Sequence, residues 1–124
     1  MPNPKLIKTY NAEGAINPYT IVKFGANDLG VIAAAAATDK LIGVTRELGS
    51  NSGEPVDVIH DGITYIKLGG TVARGDFLTS DASGQAVVAA PAAGSNNRII
   101  GFARQSGVVG DVVDVVLEPG SLQG

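Results

Sequence analysis

The same pattern of residues occurs twice in this chain. LIGVTR at residues 41–46 aligns with IIGFAR at 99–104, an offset of 58 residues. GEPVDVI at 53–59 aligns with GDVVDVV at 110–116, an offset of 57 residues. The one-residue difference falls in the connecting loop, where a change of length costs little free energy. The repeat predicts two copies of one strand–loop–strand unit.

The residue types in the repeat favour strands. The chain has 24 valines and isoleucines against 8 leucines, and β-branched side chains suit a pleated sheet better than a helix. Its 17 glycines are about twice the usual share of roughly 7% and indicate many turns. Strands are expected at residues 19–24, 29–34, 41–46, 76–80, 85–90, 98–104 and 111–117. We therefore predict an all-β fold, a small barrel or sandwich built from the duplicated unit.

The dipeptide DG at 61–62 separates two further alternating segments, residues 56–60 and 63–68. An Asp-Gly pair in this position is typical of a two-residue β-hairpin, because both turn residues need positive φ. This interpretation predicts a hairpin whose register pairs His60 with Ile63.

The N-terminal segment lies outside the aligned motifs and has a different composition. Residues 1–23 carry three lysines and one glutamate, whereas the whole chain has a net charge of -3. We expect residues 1–17 to form an extended N-terminal arm, 18–118 the β-rich domain and 119–124 a flexible C-terminal tail. A loose terminus is the alternative interpretation of the arm. The candidate partner contacts in the arm are Lys5, Leu6, Ile7, Lys8 and Tyr10.

Composition excludes several kinds of site. The chain has no cysteine, so it has no disulfide, thiolate nucleophile or cysteine-ligated metal. Its single histidine excludes a multi-histidine metal site within one subunit. The net charge does not favour nucleic acid, and the longest apolar run, residues 31–37, is too short to span a bilayer. The start of the sequence lacks the apolar segment of a signal peptide, so we expect assembly in the cytosol.

Few residues remain as candidates for chemistry. Asp57 and Asp114 occupy equivalent positions in the repeat, but each lies between valines and is expected to face water. His60, at the end of a strand, is expected at the surface. Arg46 and Arg104 are also equivalent, and they are either inter-subunit contacts or plain exposed arginines. We expect no catalytic residue, metal or cofactor, and we do not expect an enzyme.

Three motifs follow one another in the second half of the chain. They are GDFLTSDASGQAVVA at 75–89, IIGFA at 99–103 and GDVVDVVL at 110–117. In order and spacing they resemble the capsid decoration (cement) proteins of tailed bacteriophages, over about residues 19–118. The resemblance implies a homotrimer in the virion that binds the outer surface of the expanded major capsid protein shell. It further implies local threefold positions and stabilisation of the shell. From the composition we expect no nucleic acid or membrane partner.

Two other functions remain open. A virion-surface fibre or carbohydrate-binding module is the main alternative, although such modules usually stack sugars on aromatic residues. The chain is only 5% aromatic and has no tryptophan. A small barrel enzyme is the third possibility, and the shortage of histidine and cysteine counts against it.

Overall fold

A computed structural model describes residues 3–124. This part of the chain contains nine strands and no helix, which confirms the all-β prediction. Consequently, the described residues contain no helix that is long and apolar enough to cross a membrane. The strands are β1 (Asn3–Ala12), β2 (Ile21–Phe24), β3 (Gly30–Ala33), β4 (Leu41–Thr45), β5 (Pro55–Lys67), β6 (Phe77–Ser80), β7 (Ala86–Val88), β8 (Asn96–Ala103) and β9 (Val112–Gln123).

The first five strands close into a barrel, which we call the first barrel. Antiparallel pairing joins β3 to β2, β2 to β4 and β4 to β5. β1 pairs antiparallel with β5 and parallel with β3, through Asn11 and Ala12. The order β1-β3-β2-β4-β5 therefore returns to its start. The interior is a cluster of buried residues, namely Tyr10, Ala12, Ile16, Val22, Val31, Val56 and Val58.

The rest of the chain repeats this arrangement, and we call it the second unit. The order β7-β6-β8-β9 corresponds to β3-β2-β4-β5, and the second half of β5 lies beside β9 as β1 lies beside β5. A parallel bridge joins Leu68 to Ala86 where Ala12 pairs with Val31 in the first barrel. The duplicated unit is confirmed. The structure also extends the repeat to β1, which the aligned motifs do not include.

The predicted hairpin at residues 61–62 is wrong. β5 continues through both residues, with φ of 97° at Gly62 and a 2.8 Å hydrogen bond from the Gly62 amide to Asp61 Oδ1. β5 pairs with β4 at residues 58–59 and with β1 as far as Ile63, and from Gly62 onward it also pairs with β9. Asp-Gly therefore marks a bend where one strand passes from the first barrel to the second unit. The dipeptide favours positive φ locally, but the available partner strands decide whether the chain reverses.

Both ends of the described chain belong to the sheet. Residues 3–12 are extended, as expected for an arm, but they form β1 of the first barrel. Met1 and Pro2 lie outside the described residues. The segment 119–123, expected in a flexible tail, continues β9 and pairs with β8 as far as Gln123. The ladder with β8 keeps this segment in the sheet despite its proline and glycine.

The first barrel and the second unit are joined by backbone hydrogen bonds as well as by apolar packing. The amide of Lys67 donates to the carbonyl of Tyr19 at 3.0 Å, and the amide of Ile21 donates to the carbonyl of Gly84 at 2.8 Å. The start of β2 thus lies between β5 and the β6–β7 turn. This contact fixes one face of the first barrel against the second unit.

Candidate interaction surfaces

The segment KLIK at residues 5–8 is exposed on β1. Leu6 is 55% exposed and Ile7 is 38% exposed. One edge of β1 pairs with β5, whereas β3 pairs with it only at Asn11 and Ala12. Within residues 3–124, the second backbone edge of residues 5–9 therefore has no strand partner. Such an edge presents peptide N–H and C=O groups to which another strand can be added.

Tyr10, the fifth expected contact, is not on this surface. It is 7% exposed and belongs to the interior of the first barrel. Its hydroxyl lies 2.9 Å from Nε2 of His60. The Tyr10 ring also contacts the ring of Phe24 edge-on, at a centroid distance of 6.3 Å. His60 is itself half-buried rather than a plain surface residue. Tyr10 therefore contributes to the packing of the first barrel and is not available as a partner contact.

Arg46 and Arg104 directly follow the ends of β4 and β8. Arg46 lies 3.8 Å from the carboxylate of Glu47, and Arg104 lies 3.3 Å from Asp114 Oδ2. Arg46 lines a groove at the junction of the first barrel and the second unit, whose other wall includes Tyr65. A contact of either arginine with another subunit remains a prediction.

The two equivalent aspartates have different surroundings. Asp57 is exposed and accepts a 2.7 Å hydrogen bond from the hydroxyl of Thr9. Asp114, by contrast, is only 8% exposed and pairs with Arg104. The expected orientation toward water therefore holds for Asp57 alone. The loop after β8 covers Asp114. The side-chain oxygen of Gln105 accepts a hydrogen bond from the Asp114 amide, and Arg104 donates one to the Asp114 carboxylate.

No group of three or more histidine, aspartate and glutamate side chains in residues 3–124 is placed to hold a metal ion.

Glu13 has a shifted pKa with a structural cause. Its carboxylate accepts hydrogen bonds from the amides of Asn27 at 3.0 Å and Ala26 at 2.8 Å, and these bonds lower its pKa below the ordinary value of 4.5. Hydrogen bonds to the ionised form stabilise it relative to the protonated form. Glu13 therefore fixes the β2–β3 turn to the segment that follows β1.

The carboxylate of Asp39 has a similar role in the loop before β4. Burial raises its pKa, but hydrogen bonds from the Ala35 amide and from Lys23, the Lys23 charge and the Ala36 amide together lower it below 3.8. The ammonium of Lys23 lies 3.1 Å from Asp39 Oδ2. Both shifted carboxylates thus hold turns in place.

An apolar row on the outside of the second unit was not predicted from the sequence. Phe77, Phe102, Val116 and Ile63 are successive cross-strand neighbours on β6, β8, β9 and β5. Phe77 is 44% exposed, and the other three are half-buried. We call these four residues the outer row. The aligned repeat contained a signal for it, because Phe102 and Val116 align with apolar residues in the first copy.

Comparison with known proteins identifies a shared fold. No family model matches the sequence, and no curated protein matches it. Among solved structures, the chain is similar to the crystal structure of the head fiber gp8.5 N base of bacteriophage phi29, with a TM-score of 0.71 and 18% sequence identity. The match covers 96% of this chain and 98% of that one. The chain therefore has, over nearly its whole length, the fold of that head fiber base.

Proposed function

We propose that the chain is a structural protein of a tailed-phage virion that binds the outer surface of the expanded capsid shell and stabilises it. The observation that carries this proposal is the fold shared with a phage head fiber base over 96% of the chain. The motifs at residues 75–89, 99–103 and 110–117, which resemble those of decoration proteins, support the finer assignment. The proposed form is a homotrimer at local threefold sites, with the major capsid protein as partner and without enzymatic activity.

The open edge of β1 is the proposed anchor. An extended segment of the capsid protein that adds to residues 5–9 gains backbone hydrogen bonds, while Leu6 provides an apolar contact. Lys5 and Lys8 add a salt-dependent attraction to an acidic partner. Ordering a flexible capsid segment costs about 1–2 kcal/mol per residue in backbone entropy, so one edge binds weakly. Three edges on one trimer offset this cost through a high effective concentration.

The test is cosedimentation of the intact protein with purified expanded shells of its phage, across a range of salt concentrations. Deletion of the N-terminal segment is unsuitable, because it removes β1 and opens the first barrel. Leu6→Asp leaves the barrel interior unchanged and should weaken shell binding at least about tenfold, a loss of about 1.4 kcal/mol. Leu48→Asp is the matched control, since Leu48 is 76% exposed in a loop that follows β4.

The outcomes separate the two parts of the proposal. Failure of the intact protein to bind shells rejects the decoration function. Equal binding by the intact protein and Leu6→Asp rejects the β1 anchor and moves the contact to another surface.

A fibre base or carbohydrate-binding module on the virion surface is the second candidate. The fold shared with a head fiber base favours the fibre-base form of this candidate. A panel of immobilised glycans, tested beside the shells, distinguishes the two candidates. Binding to glycans without binding to shells would select the second function.

A further inference from the structure

Tyr19, at the junction of the first barrel and the second unit, has an unusual backbone conformation. Within residues 3–124 it is the only residue other than glycine with positive φ, and its φ is 55°. Residues with a Cβ are disfavoured in this region, and those that adopt it are concentrated at functional sites. The backbone of Tyr19 therefore marks the junction as a candidate binding site.

The second unit shows that the fold does not require a tyrosine at this position. The equivalent residue there is Gly75, because each of the two precedes the residue whose carbonyl accepts from the last amide of β4 or of β8. Gly75 has a φ of 94°, and a Cβ added to it would meet no atom within 4 Å. The backbone conformation alone therefore favours glycine here. Tyr19 occupies a position that suits glycine better.

A second tyrosine lies beside Tyr19 and also differs from its equivalent in the other copy. Tyr65 pairs with Asp114 as Thr9 pairs with Asp57, so the first barrel has a threonine where the second unit has Tyr65. The rings of Tyr19 and Tyr65 meet edge to face, with centroids 6.2 Å apart and an angle of 87°. Within the described chain, neither hydroxyl has a hydrogen-bond partner. The junction thus presents two aromatic rings and two hydroxyls that are available to a ligand.

Two grooves meet at Tyr19. The first has a volume of about 440 Å³ and is lined by Tyr65 and Arg46 as well as by Tyr19. The second has a volume of about 630 Å³, and Lys67 and Gln85 line it together with Tyr19. Both volumes lie in the range of about 300–1,000 Å³ that is usual for ligand sites. We call the two grooves together the Tyr19 groove.

The side chains that line the Tyr19 groove suit a saccharide. Asn17, Ser83 and Gln85 provide neutral amides and a hydroxyl, which can donate and accept hydrogen bonds as sugar hydroxyls do. The tyrosine rings provide an amphipathic surface on which the C–H face of a sugar can stack. The residues of the outer row, which an apolar peptide would favour, do not line this groove.

The charges at the Tyr19 groove favour an acidic ligand. Its lining contains two cations, Arg46 and Lys67, and one carboxylate, Glu47, although the whole chain has a net charge of -3. Arg46 Nε lies 3.8 Å from the Glu47 carboxylate, which is too long for a hydrogen bond. Lys67 is exposed and has no ion-pair partner among residues 3–124. A groove with this balance attracts negatively charged groups.

We propose that the Tyr19 groove binds a polysaccharide chain that carries acidic groups. A sugar ring stacks on Tyr19, and the acidic groups of the chain pair with Arg46 and Lys67 on either side of it. The inference goes beyond the decoration function and does not depend on it. For the carbohydrate-binding candidate it supplies a defined site and a class of ligand.

The test measures binding of the full chain to immobilised polysaccharides by biolayer interferometry, over a range of salt concentrations. The acidic probes are polygalacturonate, hyaluronan and polysialic acid, dextran is the neutral probe, and polyglutamate is an acidic polymer without sugars. The wild type should bind at least one acidic polysaccharide, less tightly as salt rises, and should bind dextran and polyglutamate more weakly.

Variants locate the binding site. Tyr19→Gly should fold, because the position favours glycine, and should weaken binding at least about tenfold, as expected for loss of a central aromatic contact. Tyr19→Phe keeps the ring and should retain most of the affinity. Lys67→Gln should weaken binding and reduce its dependence on salt. Lys40→Gln, at an exposed lysine in the loop before β4, is the matched control and should bind like the wild type.

The outcomes decide each step of the inference. Binding to none of the acidic polysaccharides overturns it, and so does binding to polyglutamate that is as tight as binding to the sugars. Equal affinity of the wild type, Tyr19→Gly and Lys67→Gln places the contact elsewhere and rejects the groove. Circular dichroism checks that each variant is folded. Shell binding is measured separately, so absence of glycan binding with retained shell binding rejects this inference and leaves the decoration function standing.

Discussion

The hydroxyl of Tyr10 lies 2.9 Å from Nε2 of His60, and the two rings are 5.5 Å apart. Nδ1 of the same histidine lies 2.9 Å from the carbonyl oxygen of Ile42. A carbonyl can only accept, so Nδ1 of the neutral ring carries the proton and Nε2 accepts from Tyr10. One histidine therefore connects β1, β4 and β5, close to the irregular register between β1 and β5.

Tyr10→Phe should lower the free energy of unfolding by about 1–2 kcal/mol. The change keeps the ring packing but leaves the half-buried His60 Nε2 without its donor. Urea unfolding followed by circular dichroism measures the effect. Tyr65→Phe is the control, because the ring of Tyr65 is half-buried and its edge contact with Tyr19 survives the change. Equal stability of Tyr10→Phe and the wild type would show that the hydrogen bond contributes nothing to the barrel.

The fold class and the duplication could be predicted from the sequence because they depend on local signals. β-branched residues, glycine turns and repeated motifs identify strands without knowledge of their partners. The path of β5 could not be predicted in this way. Positive φ at Gly62 suits a hairpin turn and a bent strand alike, and distant β1 and β9 determine which one forms.

The candidate surfaces could likewise be predicted only in part, because burial depends on residues that are distant in the sequence. Exposure of Leu6 agrees with the expectation from the sequence, whereas burial of Tyr10 depends on His60, fifty residues away. The burial of Asp114 likewise depends on the loop after β8. The outer row could not be predicted without the strand register, because a shift of the pairing by one residue would turn Phe77 to the interior.

Gly101→Ala should destabilise the second unit, because a Cβ at this position would collide with the backbone carbonyl oxygen of Val116. Overpacking against backbone costs about 1–3 kcal/mol. Gly120→Ala is a matched control in the neighbouring strand, where the nearest atom to the added Cβ, an oxygen of Glu118, is 3.8 Å away. Thermal unfolding of both variants measures the difference. Equal melting temperatures for the two would contradict the close approach of β8 and β9 at Gly101.

Asp114→Asn should lower the free energy of unfolding more than Asp57→Asn does. Asp114 is largely buried and ion-paired with Arg104, whereas Asp57 is exposed and bonded to one threonine. Loss of the charge at residue 114 removes a charge-assisted hydrogen bond worth about 1.5–3 kcal/mol. The equivalent change at residue 57 should remain within about 0.5 kcal/mol. Urea unfolding of the two variants and the wild type measures the free energies of unfolding. A larger loss of stability for Asp57→Asn than for Asp114→Asn would contradict the prediction.

Glu13→Gln should make the stability of the protein less dependent on pH in acid. In the folded chain the amides of Asn27 and Ala26 lower the pKa of Glu13 below 4.5, so the folded state binds fewer protons than the unfolded state in this range. The resulting stabilisation is present above pH 4.5 and is lost as pH falls through the folded pKa. Glutamine does not titrate and loses only this contribution, while Asp39 continues to titrate in both proteins.

The measurement for Glu13→Gln is the free energy of unfolding in urea at intervals from neutral pH to about pH 3, a range that spans the usual carboxylate pKa values. The variant should be less stable than the wild type at neutral pH, because the two turn amides lose a charged acceptor. The two curves should converge as the pH falls. Glu118→Gln, at an exposed site on β9, controls for the loss of one negative charge. Parallel curves for Glu13→Gln and the wild type would mean that the β2–β3 turn is held without the Glu13 carboxylate.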